Sequence, residues 1–429
     1  MPLLSEWRNW SGHQSALPCR LEQPGDPESL HEAVAEARRL RVVGAGHSFT
    51  PLVPTDGTLI NLDCMAGVHE VDVRARTAWV GGGSRLRDLS PAFHEQDLAF
   101  NNLGDIDAQS LAGAVATATH GTGRNLPCLA ADITGVRLLT AAGEDLTITQ
   151  EEDSDRLRAA QVSLGALGVI HGLRVALRPS FRLHRRTWAE PLGSIIADAA
   201  ARWERHRNFE FFYIPFSGWG MCIAHDETAA APTERAPSTD DEDLMKAKRL
   251  RDLTRWCTPL RRAILSRVVR GVTPEDVVGD SWRLLASERN VRFNEMEYHL
   301  PPENALDALR EVIEVVERER RDVFFPIEVR QTAGDDAWLS PFNGGRRISI
   351  AMHTHAPDED EWLFRRVEPI FRRAGGRPHW GKLHSLGAPE LAELYPNFER
   401  FLTLRRELDP NNKLVNAHTA RLWGEPHHE

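Results

Sequence analysis

Acidic and basic side chains alternate with apolar ones along two predicted strands in the second half of the chain. In FFPIEVRQ the apolar side chains share one face, which leaves Glu328 and Arg330 together on the other. In RRISIAMHTH, His353 and His355 project opposite to the apolar residues. Two neighbouring strands of this kind would form one polar wall, and a buried wall needs a ligand or internal ion pairs. An exposed sheet face with ordinary ion pairs explains the same pattern.

A lysine stands beside a tryptophan and a glycine in the run Pro378-His379-Trp380-Gly381-Lys382. The chain has only four lysines among its 52 Lys and Arg residues, so a lysine inside a motif is unusual here. A cation at such a position can stabilise negative charge that develops on a substrate or cofactor oxygen. A surface loop is the alternative interpretation.

Two small-residue stretches in the first half are suited to close contact between backbone and ligand. The first is the turn Val43-Gly44-Ala45-Gly46-His47-Ser48, where a missing Cβ lets the backbone approach a pyrophosphate or a flat ring. It is not a dinucleotide fingerprint, because the third glycine is absent and the helix precedes the strand. The second is SLAGAVATATHGTG, residues 110–123, which is uncharged and has almost no side chain larger than valine. A tight turn and a close helix crossing are the purely structural alternatives.

The elements that must position these residues fall into two parts. In the first, a helix is predicted from Pro27, with Asp26 as its N-cap, and leads into a strand and the glycine turn. After Pro179 the strands FEFFYIPF, VRFNEMEYHL, FFPIEVRQT and RRISIAMHTH alternate with long helical segments. We therefore predict domains at residues 8–179 and 180–420. Residues 229–243 are charged and contain proline, which predicts a mobile surface loop.

Composition limits the classes of protein that remain possible. The 429 residues carry a net charge of −10 and 41% hydrophobic residues, which predicts two or three packed domains and excludes a disordered chain. Without a basic block, little attraction to nucleic acid or an anionic membrane is expected. The sequence contains no apolar stretch of about 20 residues, so we predict no membrane span. We also predict no signal peptide, because the first residues lack an apolar run.

The cysteines and histidines do not form a recognisable framework. Five cysteines lie far apart with no CxxC pair, which fits a protein of the reducing cytoplasm. The eighteen histidines are scattered, and the pair at 353 and 355 has no acidic companion at ligand spacing, so no metal site is predicted.

Six motifs, in this order, resemble the sugar-lactone and alditol oxidoreductases of the vanillyl-alcohol-oxidase flavoprotein superfamily. They are VGAGHS, GGGSRLRDL, QSLAGAVATATHGTG, SLGALGVI, FPIEVR and HWGK. The finer likeness, through GDIDAQSLAGAVATATHGTG and VRFNEMEYHLPPEN, is to L-gulono-1,4-lactone and D-arabinono-1,4-lactone oxidases or dehydrogenases. The resemblance implies an α+β fold, with a two-subdomain FAD-binding domain and a C-terminal α+β substrate domain built on an antiparallel sheet.

The same resemblance implies where FAD would bind. Its pyrophosphate would lie against the turn from Val43 to Ser48 and the stretch from Ser110 to Gly121. In such proteins the histidine of the GHS turn is bonded to the flavin 8α-methyl, so His47 is the predicted attachment point. The further positions that match FAD contacts are Ser110, Gly113, Thr117, His120, Gly121, Ile170 and His379.

The substrate would then face the flavin across the polar wall. The resemblance assigns substrate binding to Ser110, Glu328, Arg330 and His355, and catalysis to Glu328, Arg330, His353 and Lys382. Arg330 and Lys382 would stabilise an alkoxide-like oxygen, each contact being worth about 3 kcal/mol when preorganised. His353 is the candidate proton acceptor, with Glu328 or bulk water as alternatives. A lactone would give a 2-keto product that tautomerises to an ascorbate-like enediol.

Other functions stay open on the sequence alone. An alditol oxidase acting on xylitol or sorbitol would share the fold, the cofactor and the wall. A sugar- or nucleotide-binding protein without turnover would use the glycine turns only structurally, and an NADPH-fed reductase would need a second nucleotide fingerprint, which we do not find. Either dioxygen or an electron carrier could accept the electrons of the reduced flavin. The sequence does not fix the oligomeric state.

Overall fold

The computed structural model describes residues 6–287 and 289–426. In chain order its strands are β1 Trp7–Arg8, β2 Ser15–Ala16, β3 Arg20–Glu22, β4 Leu40–Val43, β5 Thr58–Asn61, β6 Val68–Asp72, β7 Thr77–Gly81, β8 Leu98–Ala99, β9 Ile133–Leu139, β10 Asp145–Thr149, β11 Val169–Ala176, β12 Arg178–Pro179, β13 Arg182–Pro191, β14 Asn208–Ile214, β15 Trp219–Thr228, β16 Glu275–Asp280, β17 Phe293–Leu300, β18 Ile327–Thr332, β19 Arg347–His355 and β20 Arg377–Pro378. The helices are α1 Pro27–Glu36, α2 Leu86–His94, α3 Leu111–Ala116, α4 Ser154–Gln161, α5 Leu192–Arg205, α6 Asp240–Thr254, α7 Thr258–Arg270, α8 Ser281–Leu285, α9 Pro302–Glu319, α10 Glu368–Arg373, α11 Ala388–Leu394, α12 Phe398–Leu408 and α13 Ala417–Trp423, with a 3-10 turn at Leu129–Asp132 and a π turn at Leu363–Val367.

The first half begins with the predicted helix and turn. Asp26 caps α1 by accepting from the Ser29 backbone amide at 2.8 Å, and Pro27 is the first helical residue. A three-stranded parallel sheet, in the order β3-β5-β4, follows. Its edge strand β4 runs directly into the glycine turn. A five-stranded antiparallel sheet, β10-β9-β11-β7-β6, completes this part.

The second half is organised around one eight-stranded antiparallel sheet, in the order β16-β13-β15-β14-β18-β19-β17-β20. Helices α5 and α9 pack on it, because each turns an apolar stripe toward the strands. A hydrophobic core runs continuously through both halves of the chain. The α+β fold with an antiparallel sheet, expected from the sequence, is confirmed.

The end of the chain returns to the first half. Leu414 lies in the small core that α1 and β5 form, and Leu40 donates its backbone N–H to the Lys413 carbonyl at 2.9 Å. Asn416 donates from Nδ2 to three carbonyls, those of Pro51, Leu52 and Pro54, at 2.8 to 3.3 Å. The predicted second domain therefore contributes its last segment to the packing of the first.

One predicted loop is shorter than expected. The sequence predicts a mobile loop over 229–243, but α6 already begins at Asp240, with four consecutive acidic residues in its first turn. Acidic side chains at a helix N-terminus complement the helix dipole, which explains why this charged run is helical at its end. Among the residues that the structure describes, no helix combines the length and the apolar character needed to cross a bilayer.

Candidate active site

The glycine turn and the start of α3 press against each other at the bottom of a cleft. A Cβ on Gly44 would lie 1.8 Å from Ser110 Oγ, so only glycine fits there, and Gly46 has a φ of +69°. The cleft encloses about 1020 Å³, including space open to solvent. Its lining includes the predicted ligand-contact residues Val43, Gly44, Ala45, Gly46, His47, Ser48, Ser110, Gly113, Thr117 and Ile170.

His47 stands at the rim of this cleft and is held by an aromatic ring. The indole of Trp10 stacks on the imidazole, with ring centroids 5.4 Å apart and planes inclined by 27°. Burial, with the charges of Lys382 and Arg85 adding to it, lowers the pKa of His47 to about 4. The imidazole is therefore neutral at pH 7 and keeps a nitrogen lone pair.

The HWGK loop is bonded to the residues that follow the glycine turn. Phe49 donates its backbone N–H to the Gly381 carbonyl at 2.7 Å, and Thr50 Oγ1 donates to the Trp380 carbonyl at 3.0 Å. The ammonium of Lys382 lies 5.0 Å above the centre of the Phe49 ring. Two motifs more than 300 residues apart in the chain thus lie side by side.

The polar wall exists and is wider than the sequence predicts. Its central strands are β18 and β19, as expected, with Glu328 and Arg330 on β18 and His353 on β19. The strand on the far side, β17, contributes Glu295 directly opposite His353, and β14 contributes Glu210 directly opposite Arg330. Two further carboxylates therefore belong to the wall.

Arg330 is held by a buried carboxylate from another strand. Its Nη2 donates to Glu297 Oε1 at 2.6 Å, and its Nε lies 3.3 Å from Glu328 Oε1. To reach Glu297 on β17 the guanidinium crosses β19 between Ser349 and Ala351, whose small side chains leave the room. Burial alone would lower the pKa of Arg330, but the Glu297 and Glu328 carboxylates raise it far above its ordinary value.

Glu297 links Arg330 to a cluster of three histidines. The carboxylate is 1% exposed, and His120 Nε2 lies 3.1 Å from Oε1. The ring of His120 lies 4.9 Å from that of His299 and 5.8 Å from that of His379. Glu297 Oε2 and His299 Nε2 are buried without a hydrogen-bond partner among the described residues. Such unpaired atoms fit a site that a polar ligand completes.

Lys382 and His353 converge on a second buried carboxylate. The Lys382 ammonium donates to Glu295, and His353 Nε2 lies 3.8 Å from the same side chain. His353 donates its Nδ1–H to the Pro326 carbonyl at 3.3 Å, which leaves Nε2 as the acceptor. Burial lowers the pKa of His353 and so favours the neutral ring, although Glu295 opposes that shift.

Two of the wall carboxyls hold protons near neutral pH. Burial raises the pKa of Glu328 to about 8, even though Arg330 acts to lower it. Burial likewise raises the pKa of Glu210 to about 7. A protonated Glu328 can donate a hydrogen bond as well as accept one, which suits recognition of a hydroxyl or carbonyl oxygen.

The other predicted site residues, His120, Gly121, His379 and His355, do not share one set of neighbours. His120 and Gly121 are bonded to β18 through Thr332 Oγ1, at 3.2 Å from His120 Nδ1 and 3.3 Å from the Gly121 carbonyl. His379 accepts from the Gly381 amide at 3.0 Å and lies in the histidine cluster. The described contacts of His355 are with Asp358 and Phe324, and they do not join it to Arg330.

Acidic companions of the histidines come from a strand distant in sequence. His353, Glu295 and Glu328 offer ligand atoms within 4.8 Å of one another, and so do His120, Glu297 and His379. No acidic companion of His353 stands at ligand spacing in the sequence, but pairing of β17 with β19 supplies one, Glu295. Both trios adjoin Arg330 or Lys382, and these cations already neutralise the carboxylates.

The sequence interpretation missed Glu210, Glu295, Glu297 and His299. One signal was present, since Glu295, Glu297 and His299 alternate with apolar residues along VRFNEMEYHL as Glu328 and Arg330 do in FFPIEVRQ. Which strands become neighbours is not encoded in that alternation.

Comparison with known proteins gives concordant similarities. Residues 173–422 match the protein-family model of D-arabinono-1,4-lactone oxidase, and residues 19–149 match that of the FAD binding domain. The chain is 37% identical to an L-gulono-1,4-lactone dehydrogenase of Mycobacterium tuberculosis, over 97% of this chain and 99% of that one. It is 32% identical to an alditol oxidase of a Streptomyces species, over 95% and 97%. The fold is similar to that of a cholesterol oxidase from B. sterolicum, with a TM-score of 0.78 at 15% identity over 97% and 96%.

Proposed function

The chain belongs to the D-arabinono-1,4-lactone oxidase family of FAD-dependent oxidoreductases, and from this premise we propose the roles of its residues and its substrate. The enzyme oxidises a small molecule at a CH–OH carbon, and its cofactor is FAD. The proposed substrate is a sugar lactone of the L-gulono-1,4-lactone or D-arabinono-1,4-lactone type. The observation that carries the proposal is the charged wall of Glu328, Arg330 and Lys382, together with the hydrogen bonds that tie the HWGK loop to Phe49 and Thr50, next to the glycine turn of the cleft.

The cleft residues fit the cofactor. Gly44 allows the glycine turn to pack against Ser110, and Gly46 adopts the positive φ that the turn needs, so the turn and the small side chains of residues 110–117 line the same cleft. The turn from Val43 to Ser48 would hold the pyrophosphate side of the cofactor, and His379 would lie near its ring. When bound, FAD takes up the hydride that leaves the substrate carbon.

Arg330 and Lys382 bind and orient the oxygen that loses its proton. Both cations are fixed by carboxylates of β17, so they need no reorganisation as negative charge develops on that oxygen. Glu328, protonated at neutral pH, donates its O–H to another hydroxyl or to the lactone carbonyl. Ser110 and His355 complete the substrate-binding residues in this proposal.

His353 accepts the hydroxyl proton. Its Nδ1–H is engaged with the Pro326 carbonyl, so the proton is received on Nε2. The imidazolium that forms lies 3.8 Å from the Glu295 carboxylate, which stabilises the new positive charge. The 2-keto product of a lactone then tautomerises to an enediol.

Stopped-flow measurement of flavin bleaching under anaerobic conditions tests the substrate. L-gulono-1,4-lactone and D-arabinono-1,4-lactone should bleach the flavin of the purified protein rapidly, and xylitol and sorbitol slowly. Arg330→Met should slow bleaching about 10²- to 10³-fold, as expected for loss of a preorganised donor. Arg74→Met, on the exposed β6–β7 turn, is the control and should bleach normally. Faster bleaching by xylitol would assign the chain to alditol oxidation, which its 32% identity to an alditol oxidase makes the second candidate.

His47 is the proposed site of a covalent link to the flavin 8α position. Its neutral imidazole at the rim of the cleft supports this role. Yellow colour should stay with the polypeptide after acid precipitation of wild type and move to the supernatant for His47→Ala. A colourless wild-type precipitate would refute the link and leave flavin binding intact.

The electron acceptor and the compartment complete the proposal. Reoxidation of the bleached enzyme by air within seconds would assign dioxygen as the acceptor, and persistence of the bleached form would assign an electron carrier. All five cysteines are free in the structure. A cytoplasmic location stays a prediction from their spacing.

A further inference from the structure

Helices α6 and α7 form a hairpin that exposes apolar side chains. Eight large apolar residues are exposed among those that the structure describes, and five of them lie between residues 253 and 272. At the tip of the hairpin Leu253 is 73% exposed and Trp256 is 74% exposed, with Leu260 beside them. Isolated exposed apolar residues are ordinary, but five on one hairpin form a patch.

The outer side of α7 carries its own apolar stripe. Arg261, Leu265 and Val269 follow one side of the helix, and Arg261 and Val269 are buried against the body of the protein. Leu260, Ile264 and Val268 are spaced four residues apart on the neighbouring flank, where Leu260 and Val268 are exposed and Ile264 is half-buried. Packing within this chain explains the first stripe and leaves the second without a partner.

The hairpin is attached firmly to the protein, so the patch is a fixed surface. The Arg261 guanidinium donates to the Arg321 carbonyl at 2.5 Å and lies 4.8 Å from the centre of the Phe216 ring. Arg251 Nη1 donates to Asp358 at 3.1 Å, and Ser266 donates to the Ser217 carbonyl at 2.5 Å. The apolar tip therefore projects from a rigid support.

The patch is surrounded by positive charge, part of which the protein does not neutralise. Helices α6 and α7 with the turn between them, residues 240–270, hold nine Lys and Arg against five Asp and Glu, a local net charge of +4 in a chain whose total is −10. Four of the nine form ion pairs: Lys246, Lys248, Arg251 and Arg262. The exposed arginines Arg249, Arg255, Arg267 and Arg270 form no ion pair with any described residue. The average composition conceals this segment, which is why no attraction to an anionic membrane was expected from it.

We propose that the α6–α7 hairpin is a docking surface for an anionic lipid bilayer, on which Leu253, Trp256 and Leu260 enter the interface. Apolar and tryptophan side chains enter the headgroup boundary, and surrounding Lys and Arg bind acidic headgroups. A symmetric pair of chains would place two hairpins of charge +4 against each other, which repulsion opposes. The hairpin lies on the surface and does not span the bilayer.

Sedimentation of the flavin-loaded protein with vesicles tests the proposal. It should pellet with phosphatidylglycerol vesicles at low salt at least tenfold more than with phosphatidylcholine vesicles, and 0.5 M salt should release it, because screening weakens surface electrostatics. Leu253→Ser/Trp256→Ser/Leu260→Ser and, separately, Arg249→Gln/Arg255→Gln/Arg267→Gln/Arg270→Gln should each lose binding at least tenfold. Flavin bleaching by substrate should be unchanged in both variants.

Matched controls change the same residue types elsewhere. Leu17→Ser/Leu21→Ser/Val73→Ser removes the three exposed apolar residues outside the hairpin, and Arg38→Gln/Arg74→Gln/Arg158→Gln/Arg205→Gln removes four other exposed arginines. Both should bind vesicles as wild type does. Equal loss in these controls, or no pelleting of wild type with phosphatidylglycerol, would overturn the proposal.

A measurement on the wild-type protein needs no variant. Trypsin should cleave the free protein after Arg255, in the exposed turn between the two helices, and phosphatidylglycerol vesicles should protect that bond at least tenfold while phosphatidylcholine vesicles do not. Protection that depends on protein concentration and not on vesicles would overturn the proposal and assign the hairpin to a contact between two copies of the chain.

Discussion

At the scale of single residues, the site depends on carboxylates that never need to touch the substrate. Glu297 and Glu295 each fix one cation, Arg330 and Lys382 respectively. A cation without such a partner would have to be reoriented during the reaction, which costs free energy at the moment when charge develops. Glu297 is therefore a positioning residue, which acts through Arg330.

Replacing Glu297 tests this role. Glu297→Gln keeps the shape but removes the charge that holds Arg330, so we expect kcat to fall about tenfold with a smaller change in KM, as measured by steady-state kinetics. Glu368→Gln is the control, since Glu368 is equally buried but bonds to Tyr298 and Ser385. A parallel loss of kcat in that control would mean that any buried carboxylate has this effect.

The protonation of Glu328 predicts a pH dependence. With a pKa of about 8, the carboxyl group loses its proton, and with it the hydrogen bond that it donates, as the pH rises through that value. We expect kcat/KM to decline above pH 8 in wild type. Glu328→Gln cannot ionise, so its pH profile should lose this alkaline decline, at a level about tenfold lower.

The same group predicts how stability varies with pH. Between its ordinary pKa of 4.5 and the folded value of about 8, the folded protein holds a proton that the unfolded chain has lost, so stability decreases as the pH rises across that interval. The Tm of Glu328→Gln should therefore fall less than that of wild type between pH 5 and pH 9. Glu393→Gln, an exposed site, should follow wild type. Identical Tm profiles for wild type and Glu328→Gln would show that the folded-state pKa is not raised.

At the scale of elements, the glycine turn and α3 must touch for the cleft to exist. Gly44→Ala would place a Cβ 1.8 Å from Ser110 Oγ and 2.9 Å from Ser110 Cβ. Overpacking of this kind costs about 1 to 3 kcal/mol and moves the turn into the cleft. We expect a lower flavin content, measured as the ratio of absorbance at 450 and 280 nm. Gly25→Ala, where nothing lies within 4 Å, should keep its flavin.

The elements also show which features of the fold local sequence patterns can predict and which they cannot. Alternation of side chains placed Glu328 and Arg330 on one face and predicted the strand that holds them, and the capped helix α1 begins at the predicted residue. Alternation could not pair β17 with β19, because that register joins residues some 50 positions apart and depends on the packing of the whole sheet. Glu295 and Glu297 were missed for that reason.

At the scale of the whole molecule, the two halves are joined at the end of the chain. Asn416 donates to three carbonyls in residues 51–54, so Asn416→Leu would leave those of Pro51 and Pro54 without a described donor, while Leu52 keeps its bond from Arg41 Nε. We expect the free energy of unfolding in urea to fall by about 2 to 4 kcal/mol, with flavin fluorescence and circular dichroism changing together. Asn304→Leu, at an exposed position of α9, should change stability little. Release of flavin well before unfolding would show that the halves are not coupled there.

The return of residues 413–416 to the first half has a consequence for biosynthesis. Leu414 and Asn416 are translated after every strand of the second half, yet α1, β4 and the turn near Pro51 pack against them. The amino-terminal half therefore cannot acquire its final packing until these residues have left the ribosome. We expect that a nascent chain stalled before Lys413 does not retain flavin.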